Sequence, residues 1–85
     1  MNNIIMYTSQ FCPYCSSAER LLKSKGLDIS EKIYIDKYPE ELTKMMEMTG
    51  KRTVPQIYIN QKYIGGFDEL RKLDNTGELD KMLEI

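Results

Sequence analysis

The order of apolar and polar positions predicts alternating strands and helices in the first half of the chain. Residues 4–7 form a continuous apolar run, which is typical of a strand covered on both faces at the centre of a sheet. Apolar residues then return at helical spacing between Pro13, which suits a first helical turn, and Gly26, which suits a helix end. A first helix is expected from about residue 13 to residue 25, with Ala18, Leu21 and Leu22 on its apolar face.

A second strand and a second helix follow. Residues 33–35 are apolar and β-rich, and Pro39-Glu40-Glu41 has the composition of a helix start. Gly50 marks the end of this helix. Its buried face is expected to consist of Leu42, Met45 and Met46. Met45, Met46 and Met48 fall on a helical stripe, so core packing is favoured over a soft-metal site.

The second half of the chain predicts a hairpin and two short helices. The β-rich runs 56–60 and 62–64 are separated by a polar turn around Asn60 and Gln61, which indicates an antiparallel pair. Two amphipathic pieces follow, divided by Asn75-Thr76-Gly77. Their apolar positions are Phe67, Leu70 and Leu73 in the first, and Leu79, Met82 and Leu83 in the second.

The predicted order is therefore βαβ, a helix, a hairpin and terminal helices, that is, βαβαββα with an additional C-terminal helix. In a βαβ unit the two strands are parallel and the crossover is right-handed. The order resembles the thioredoxin-like α/β fold, a central four-stranded mixed sheet flanked by helices. Because 85 residues hold one hydrophobic core, residues 1–85 are expected to form a single domain.

Composition excludes several classes of function. With twelve basic and thirteen acidic residues, the chain has no electrostatic footprint for nucleic acid. Histidine is absent, which excludes a Cys-His dyad, a Ser-His-Asp triad and His-containing zinc sites. Two cysteines alone would leave a zinc ion half-coordinated, so no metal is expected. No run approaches the roughly 20 apolar residues of a membrane span, and no export signal is recognisable, so we expect a cytoplasmic protein.

The strongest chemical signal is Cys12-Pro13-Tyr14-Cys15. At a helix start, Cys12 would meet unpaired backbone N–H groups and the positive end of the helix dipole, both of which favour a thiolate. Cys15 follows one turn later, within reach of the first sulfur. The alternative is that both are small buried apolar residues. Their position between a buried strand and a helix favours redox catalysis, with Cys12 attacking and Cys15 resolving.

Two further segments are candidates for substrate binding. Thr53-Val54-Pro55 precedes a β run, where the proline is either an ordinary trans residue or a cis residue that turns the Val54 backbone towards a peptide substrate. The statistics of X-Pro bonds alone favour trans. In Gly65-Gly66-Phe67-Asp68, two glycines allow close approach of a ligand to free helix N–H groups, unless Asp68 merely caps the helix. Lys51 and Arg52 are solvated loop residues or partners of a substrate carboxylate.

Together these motifs resemble the glutaredoxin family, and in particular its short bacterial dithiol members, over essentially the whole chain. Cys-Pro-Tyr-Cys matches the family's dithiol motif, Thr-Val-Pro its cis-proline segment and Gly-Gly-X-Asp its glutathione-binding turn. The resemblance implies that Cys12 and Cys15 are the redox pair. It also implies that glutathione is the reducing co-substrate, bound by Tyr14, Thr53, Val54, Pro55, Gly66, Phe67 and Asp68.

Two positions depart from the family pattern. Many relatives carry Lys or Arg three residues before the first Cys, where this chain has Ser9, and Gln or Arg where it has Leu42. Both usually help to hold the glycine carboxylate of glutathione, so Lys51 or Arg52 would have to replace them.

The resulting hypothesis is a monomeric, glutathione-dependent oxidoreductase. It would reduce protein-glutathione mixed disulfides, and disulfides of clients such as ribonucleotide reductase. One alternative is a similar redox protein that is reduced by thioredoxin reductase. A second, from another class, is a scaffold in which Cys12 and glutathione from two chains hold an iron-sulfur cluster. The proline after Cys12 favours the redox function.

Overall fold

The structure, a computed structural model, describes residues 2–83 and has the element order that the sequence predicts. The elements are β1 (Ile4–Thr8), α1 (Pro13–Ser24), β2 (Glu31–Tyr34), α2 (Pro39–Thr49), β3 (Gln56–Ile59), β4 (Lys62–Gly65), α3 (Phe67–Thr76) and α4 (Glu78–Leu83). Within this part of the chain, no helix has the length and apolar character required to cross a bilayer.

The four strands form one mixed sheet in the order β2-β1-β3-β4, with β1 in the interior. Strand β1 is parallel to β2, with Ile5 opposite Glu31, and antiparallel to β3, with Ile4 opposite Ile59. Strands β3 and β4 are antiparallel. The predicted thioredoxin-like arrangement, with its parallel βαβ unit and hairpin, is confirmed.

Strand β2 differs from its prediction in position. It runs from Glu31 to Tyr34, whereas the apolar pattern predicted residues 33–35. The reason is that β2 is an edge strand, paired with β1 alone, so Glu31 and Lys32 take part in the strand while remaining exposed. Ile35 lies just past the strand, where its N–H donates to the Thr8 carbonyl at 3.0 Å.

The β3–β4 hairpin has the predicted turn. Asn60 and Gln61 both have positive φ, 51° and 69°, as a two-residue type I′ turn requires. The Asn60 side chain also accepts from the Asn3 N–H at 2.8 Å and donates to the Asn2 side chain at 2.9 Å. Because Asn2 in turn donates to the Leu83 carbonyl at 3.1 Å, the turn, β1 and α4 are joined at one end of the sheet.

One side of the sheet, which we call the packed face, carries the hydrophobic core. Side chains that alternate along β1 and β3 pack there against α1, α3 and α4. The fully buried members from the sheet are Ile4, Met6, Ile57 and Ile59, and those from the helices are Ala18, Leu22, Leu70, Leu79 and Leu83. Cys15 belongs to the same cluster.

The other side, which we call the α2 face, is covered by α2 and is more open. Ile5, Tyr7 and Tyr58 point to this side and line a cavity of about 560 Å³ beneath α2. The prediction that the methionines of α2 all pack in the core is wrong. Met45 is buried, but Met46 and Met48 are exposed; Met48 lies at the edge of the open cavity, where its Sδ accepts from the Tyr7 hydroxyl at 3.7 Å.

The end of the chain keeps the two predicted helices but shifts their boundary. Asn75 and Thr76 lie inside α3, and the break falls at Gly77, whose φ of +81° ends the helix in the left-handed conformation. Polar residues in the last turn of an amphipathic helix resemble a loop in sequence. Only the glycine marks the boundary.

Candidate active site

Cys12 lies at the N-terminus of α1, as predicted. It is the N-cap residue, with extended backbone angles, and Pro13 occupies the first helical turn. Its Sγ accepts a hydrogen bond from the Cys15 N–H at 3.2 Å. A sulfur in this position takes the place of the usual capping oxygen, at the end of the helix where the first backbone N–H groups lack partners within the helix.

Cys15 has a different environment from Cys12. Both are free thiols, but Cys15 is only 4% exposed, whereas Cys12 is half-buried. Burial, and after it the neighbouring Cys12 side chain, raises the pKa of the Cys15 thiol from 9.0 to about 11. Cys15 therefore keeps its proton at neutral pH, and Cys12 is the sulfur that a substrate can reach.

The Thr53-Val54-Pro55 segment lies beside Cys12. The Val54-Pro55 peptide bond is cis, as the family resemblance implied and X-Pro statistics alone did not. The Cys12 Sγ lies 3.7 Å from the Val54 carbonyl oxygen, to which its S–H donates. Pro55 is buried, whereas Thr53 is exposed to solvent. The segment therefore forms a wall next to the sulfur.

The Gly-Gly-Phe-Asp segment connects β4 to α3. Gly65 has a φ of +116°, and a Cβ there would lie 2.7 Å from the Glu69 Oε1, so the position requires glycine. Gly66 is the N-cap residue of α3, and its N–H donates to Glu69 Oε1 at 2.7 Å. Glu69 thus performs the capping that was the alternative role for Asp68. The Asp68 carboxylate is exposed, with Arg71 3.8 Å away.

These segments enclose a groove of about 290 Å³, which we call the binding groove. It is lined by every residue that the sequence predicted to bind glutathione, namely Tyr14, Thr53, Val54, Pro55, Gly66, Phe67 and Asp68. The Tyr14 and Phe67 rings lie 6.5 Å apart on its rim. Lys51 also lines the groove, whereas Arg52 does not.

A second depression, of about 400 Å³, is lined by Cys12 and Cys15, neither of which lines the binding groove. Ser9 and Phe11 line it together with Lys32 and Lys37. Ser9 therefore lies outside the binding groove, as does Leu42, which is half-buried on α2. Of the cations considered from the sequence, Lys51 is the one that the fold brings to the groove.

Two residues of the groove, Gln56 and Glu69, were not predicted from the sequence. Glu69 had a usable signal, because an acid three residues after a helix N-cap is typical of a capping box. Gln56 had only a weak one, as a polar residue at the start of an otherwise apolar strand. Among residues 2–83, no group of three or more carboxylate or thiol side chains comes together as a metal site.

Comparison with known proteins agrees with this geometry. The glutaredoxin family model matches residues 4–64. Glutaredoxin 3 of Escherichia coli is 43% identical over 84 residues, which cover 99% of this chain and 100% of that protein. A glutaredoxin of Neisseria meningitidis is 42% identical over 83 residues, 98% of each chain.

Solved structures lead to the same family. The crystal structure of a buckwheat glutaredoxin-glutathione complex superposes with a TM-score of 0.89 at 29% identity, covering 98% of this chain and 77% of the buckwheat chain. A Cys-x-x-Cys pair at a helix N-terminus, with one accessible and one buried sulfur, is suited to thiol-disulfide exchange. The chain belongs to the glutaredoxin family of thiol-disulfide oxidoreductases.

Proposed function

We propose that this chain uses glutathione to reduce disulfides: protein-glutathione mixed disulfides through Cys12 alone, and protein disulfides through Cys12 and Cys15 together. The observation that carries the proposal is the binding groove, whose lining unites the three sequence segments beside the accessible sulfur. The buckwheat glutaredoxin that this chain resembles in structure forms a complex with glutathione, which supports glutathione as the ligand of the groove.

The groove offers complementary groups to each part of glutathione. The Val54 backbone lies beside Cys12 and can pair with the extended peptide of the cysteinyl residue. The first turn of α3, at Phe67 and Asp68, presents N–H groups for the γ-glutamyl carboxylate. Lys51 is the cation for the glycine carboxylate.

In the reaction with a glutathionylated protein, the Cys12 thiolate attacks the glutathione sulfur. A Cys12-glutathione disulfide forms, the client-glutathione disulfide breaks, and the client leaves as a thiolate that takes up a proton. A second glutathione thiolate then attacks the bound glutathione sulfur. This releases oxidised glutathione, made of the client's glutathionyl group and the one free glutathione that is consumed, and restores the Cys12 thiolate.

Protein disulfides require Cys15. Cys12 first forms a mixed disulfide with one client sulfur and displaces the other as a thiolate. Cys15 then attacks the Cys12 sulfur, which forms the Cys12-Cys15 disulfide and releases the second client sulfur, and the Cys15 proton passes to a departing thiolate. Two glutathione thiols reduce the Cys12-Cys15 disulfide and leave as oxidised glutathione. Because burial raises the pKa of the Cys15 thiol to about 11, Cys15 is less ionised at neutral pH than an ordinary thiol.

Protein clients would dock on the aromatic residues beside Cys12. Phe11 is 93% exposed and Tyr14 is largely exposed, and the two side chains lie on opposite sides of the motif. Exposed aromatic side chains are typical anchors of protein contacts. We infer a monomer that acts in a reducing compartment such as the cytoplasm, on glutathionylated proteins and on disulfide enzymes of the ribonucleotide reductase kind.

The test compares Cys12→Ser and Cys15→Ser on a glutathionylated peptide and on a protein disulfide. Each is supplied in turn with glutathione plus glutathione reductase, or with thioredoxin reductase, and NADPH oxidation is followed. We expect Cys12→Ser to abolish both activities and Cys15→Ser to lose only protein-disulfide reduction, with glutathione as the effective reductant. Equal activity with thioredoxin reductase alone, or loss of deglutathionylation in Cys15→Ser, would contradict the proposal.

A further inference from the structure

A buried polar side chain, that of Gln56, forms part of the wall of the binding groove. Gln56 is the first residue of β3 and is only 3% exposed. Its Nε2 donates to the Thr53 carbonyl at 2.9 Å and approaches the Thr53 Oγ1 at 3.3 Å. Its Oε1 accepts from the Tyr63 hydroxyl at 2.5 Å. Every polar atom of the Gln56 side chain is therefore engaged.

The chemistry of the partners determines how this amide is oriented. A carbonyl oxygen only accepts hydrogen bonds, so the amide nitrogen of Gln56 must face Thr53. The amide oxygen then faces Tyr63, whose hydroxyl donates to it. Burial, followed by nearby Tyr58 and Glu69, raises the pKa of Tyr63, so its hydroxyl keeps the proton that it donates. Tyr63 thus fixes the orientation of Gln56, and Gln56 fixes Thr53.

Thr53 has few other restraints. Within residues 2–83, the segment 51–55 forms no backbone-backbone hydrogen bond with the rest of the chain. The contact of the Val54 carbonyl with the Cys12 sulfur, at 3.7 Å, is long and belongs to the reacting group itself. The Gln56 side chain therefore supplies the hydrogen bonds that hold Thr53 to β3.

We propose that Gln56 and Tyr63 are positioning residues that hold the Thr53-Val54 backbone in place to receive the peptide of the glutathionyl group. This inference rests on the proposed function, because it concerns the same groove. Tyr63 reaches the groove only through Gln56: it lies on β4, is 40% exposed, and is absent from the groove lining. An effect of its hydroxyl on substrate affinity would therefore be indirect.

Removal of the Tyr63 hydroxyl should weaken substrate binding without affecting sulfur chemistry. With no donor at Oε1, the Gln56 amide is free to turn, and the Thr53-Val54 backbone must be ordered when substrate binds. We expect the concentration of glutathionylated substrate at half-saturation to rise about 5-fold, which corresponds to the loss of one hydrogen bond. The limiting rate should stay within about 2-fold, since Cys12 and Cys15 are untouched.

The experiment compares Tyr63→Phe with Tyr58→Phe. The two rings pack against each other at 5.3 Å, but the Tyr58 hydroxyl has no hydrogen-bond partner within residues 2–83. Reduced enzyme is mixed with a glutathionylated peptide in single turnover, and the half-saturating concentration and limiting rate are fitted. We expect Tyr58→Phe to match the wild type. An equal change in both variants, or a change confined to the limiting rate, would overturn the inference.

Gln56→Glu is the stronger variant. Its carboxylate would place an acceptor against the Thr53 carbonyl, so we expect a rise of more than 10-fold in the half-saturating concentration. Tyr63→Phe alone decides the matter if Gln56→Glu does not fold. Tyr63→Phe and Tyr58→Phe are also assayed in direct reduction of 2-hydroxyethyl disulfide, which lacks a peptide backbone, and that rate should not change.

The same data separate this inference from the proposed function. If the wild type does not prefer the glutathionylated peptide over 2-hydroxyethyl disulfide, the proposed glutathione specificity fails. If the wild type has that preference but Tyr63→Phe keeps it at the level of Tyr58→Phe, the positioning role fails while the proposed function stands.

Discussion

The two faces of the sheet are built from the same strands but differ in packing. On the packed face, aliphatic side chains of β1 and β3 lie against three helices, and the residues of this cluster are almost completely buried. On the α2 face, tyrosines of β1, β3 and β4 lie beneath or beside a single helix, next to a cavity of about 560 Å³. The packed face is apolar and closely packed, whereas the α2 face is partly open and carries tyrosine hydroxyls.

The difference separates stability from substrate recognition. Apolar burial, the main source of folding free energy, is concentrated on the packed face, which also holds Cys15. The α2 face has polar side chains that hydrogen-bond towards the binding groove, through Tyr63 and Gln56. Substitutions on the first face should therefore alter the free energy of unfolding, and those on the second should alter activity more than stability.

The largest expected effect tests the packed face. Leu70→Ala removes a fully buried side chain of α3 and should lower the free energy of unfolding by about 2–5 kcal/mol. Met46→Ala is the control on α2, where the side chain is 37% exposed, and should cost less than about 1 kcal/mol. Urea denaturation measures both. Similar losses in the two variants would mean that the faces contribute equally.

A smaller effect is expected at Gly65, where β4 meets the binding groove. Gly65→Ala should cost about 1–3 kcal/mol, because the backbone has positive φ and the new Cβ would collide with the Glu69 carboxylate. Gly26→Ala is the control: its φ is also positive, but no atom lies within 4 Å of a Cβ there. The difference in unfolding free energy measures the collision together with the larger positive φ of Gly65, +116° against +78° at Gly26. Equal costs would show that Glu69 moves aside freely.

Alkaline pH should destabilise the packed face through Cys15. Because the pKa of Cys15 is about 11 in the folded protein and near 9.0 when unperturbed, the unfolded chain loses this proton first. The stabilisation is complete below pH 9 and is lost as the pH rises through about 11, up to about 3 kcal/mol. Cys15→Ala should reduce this loss, whereas the tyrosines remain as in the wild type. A pH series of urea denaturation curves that is identical for the two proteins would refute it.

The smallest expected effect concerns the edge of the packed face at acidic pH. The Glu19 carboxylate lies 2.7 Å from Lys32, and the hydrogen bond between them lowers the pKa of Glu19 below 4.5. The resulting stability is present above pH 4.5 and is lost as the pH falls through the lowered pKa. Since the pair is partly exposed, Glu19→Gln should cost less than about 1 kcal/mol at neutral pH. Its thermal midpoint should differ less from wild type at pH 3 than at pH 7.

Prediction from the sequence succeeded where a pattern has one structural meaning. The interior strand β1 was predicted because it is apolar on both faces, and the turn at Asn60 because a polar pair separates two β runs. It failed for β2, whose pairing with β1 is independent of the exposure of Glu31 and Lys32. It failed for Met46 and Met48 because helical spacing indicates a face but not the width of the surface that covers it.

Among the residues at the binding groove, those in contiguous sequence motifs were predicted, and the pair that meets only across strands was not. Val54 and Asp68 lie in contiguous motifs, so the sequence already groups them with their neighbours. The Gln56–Tyr63 bond joins residues on two strands, and its existence depends on the hairpin register, in which Tyr63 lies opposite Tyr58. No local pattern in the chain encodes a hydrogen bond across strands.

The asparagine network at the far end of the sheet has a practical consequence for engineering. Asn2 donates to the Leu83 carbonyl, so the first and last parts of the described chain meet, and they do so where β1 begins, whereas Cys12 follows the end of β1. A short linker between these two parts of the chain would permit circular permutation. Reporters or affinity tags fused there would lie at the end of the sheet away from the Cys12 thiol.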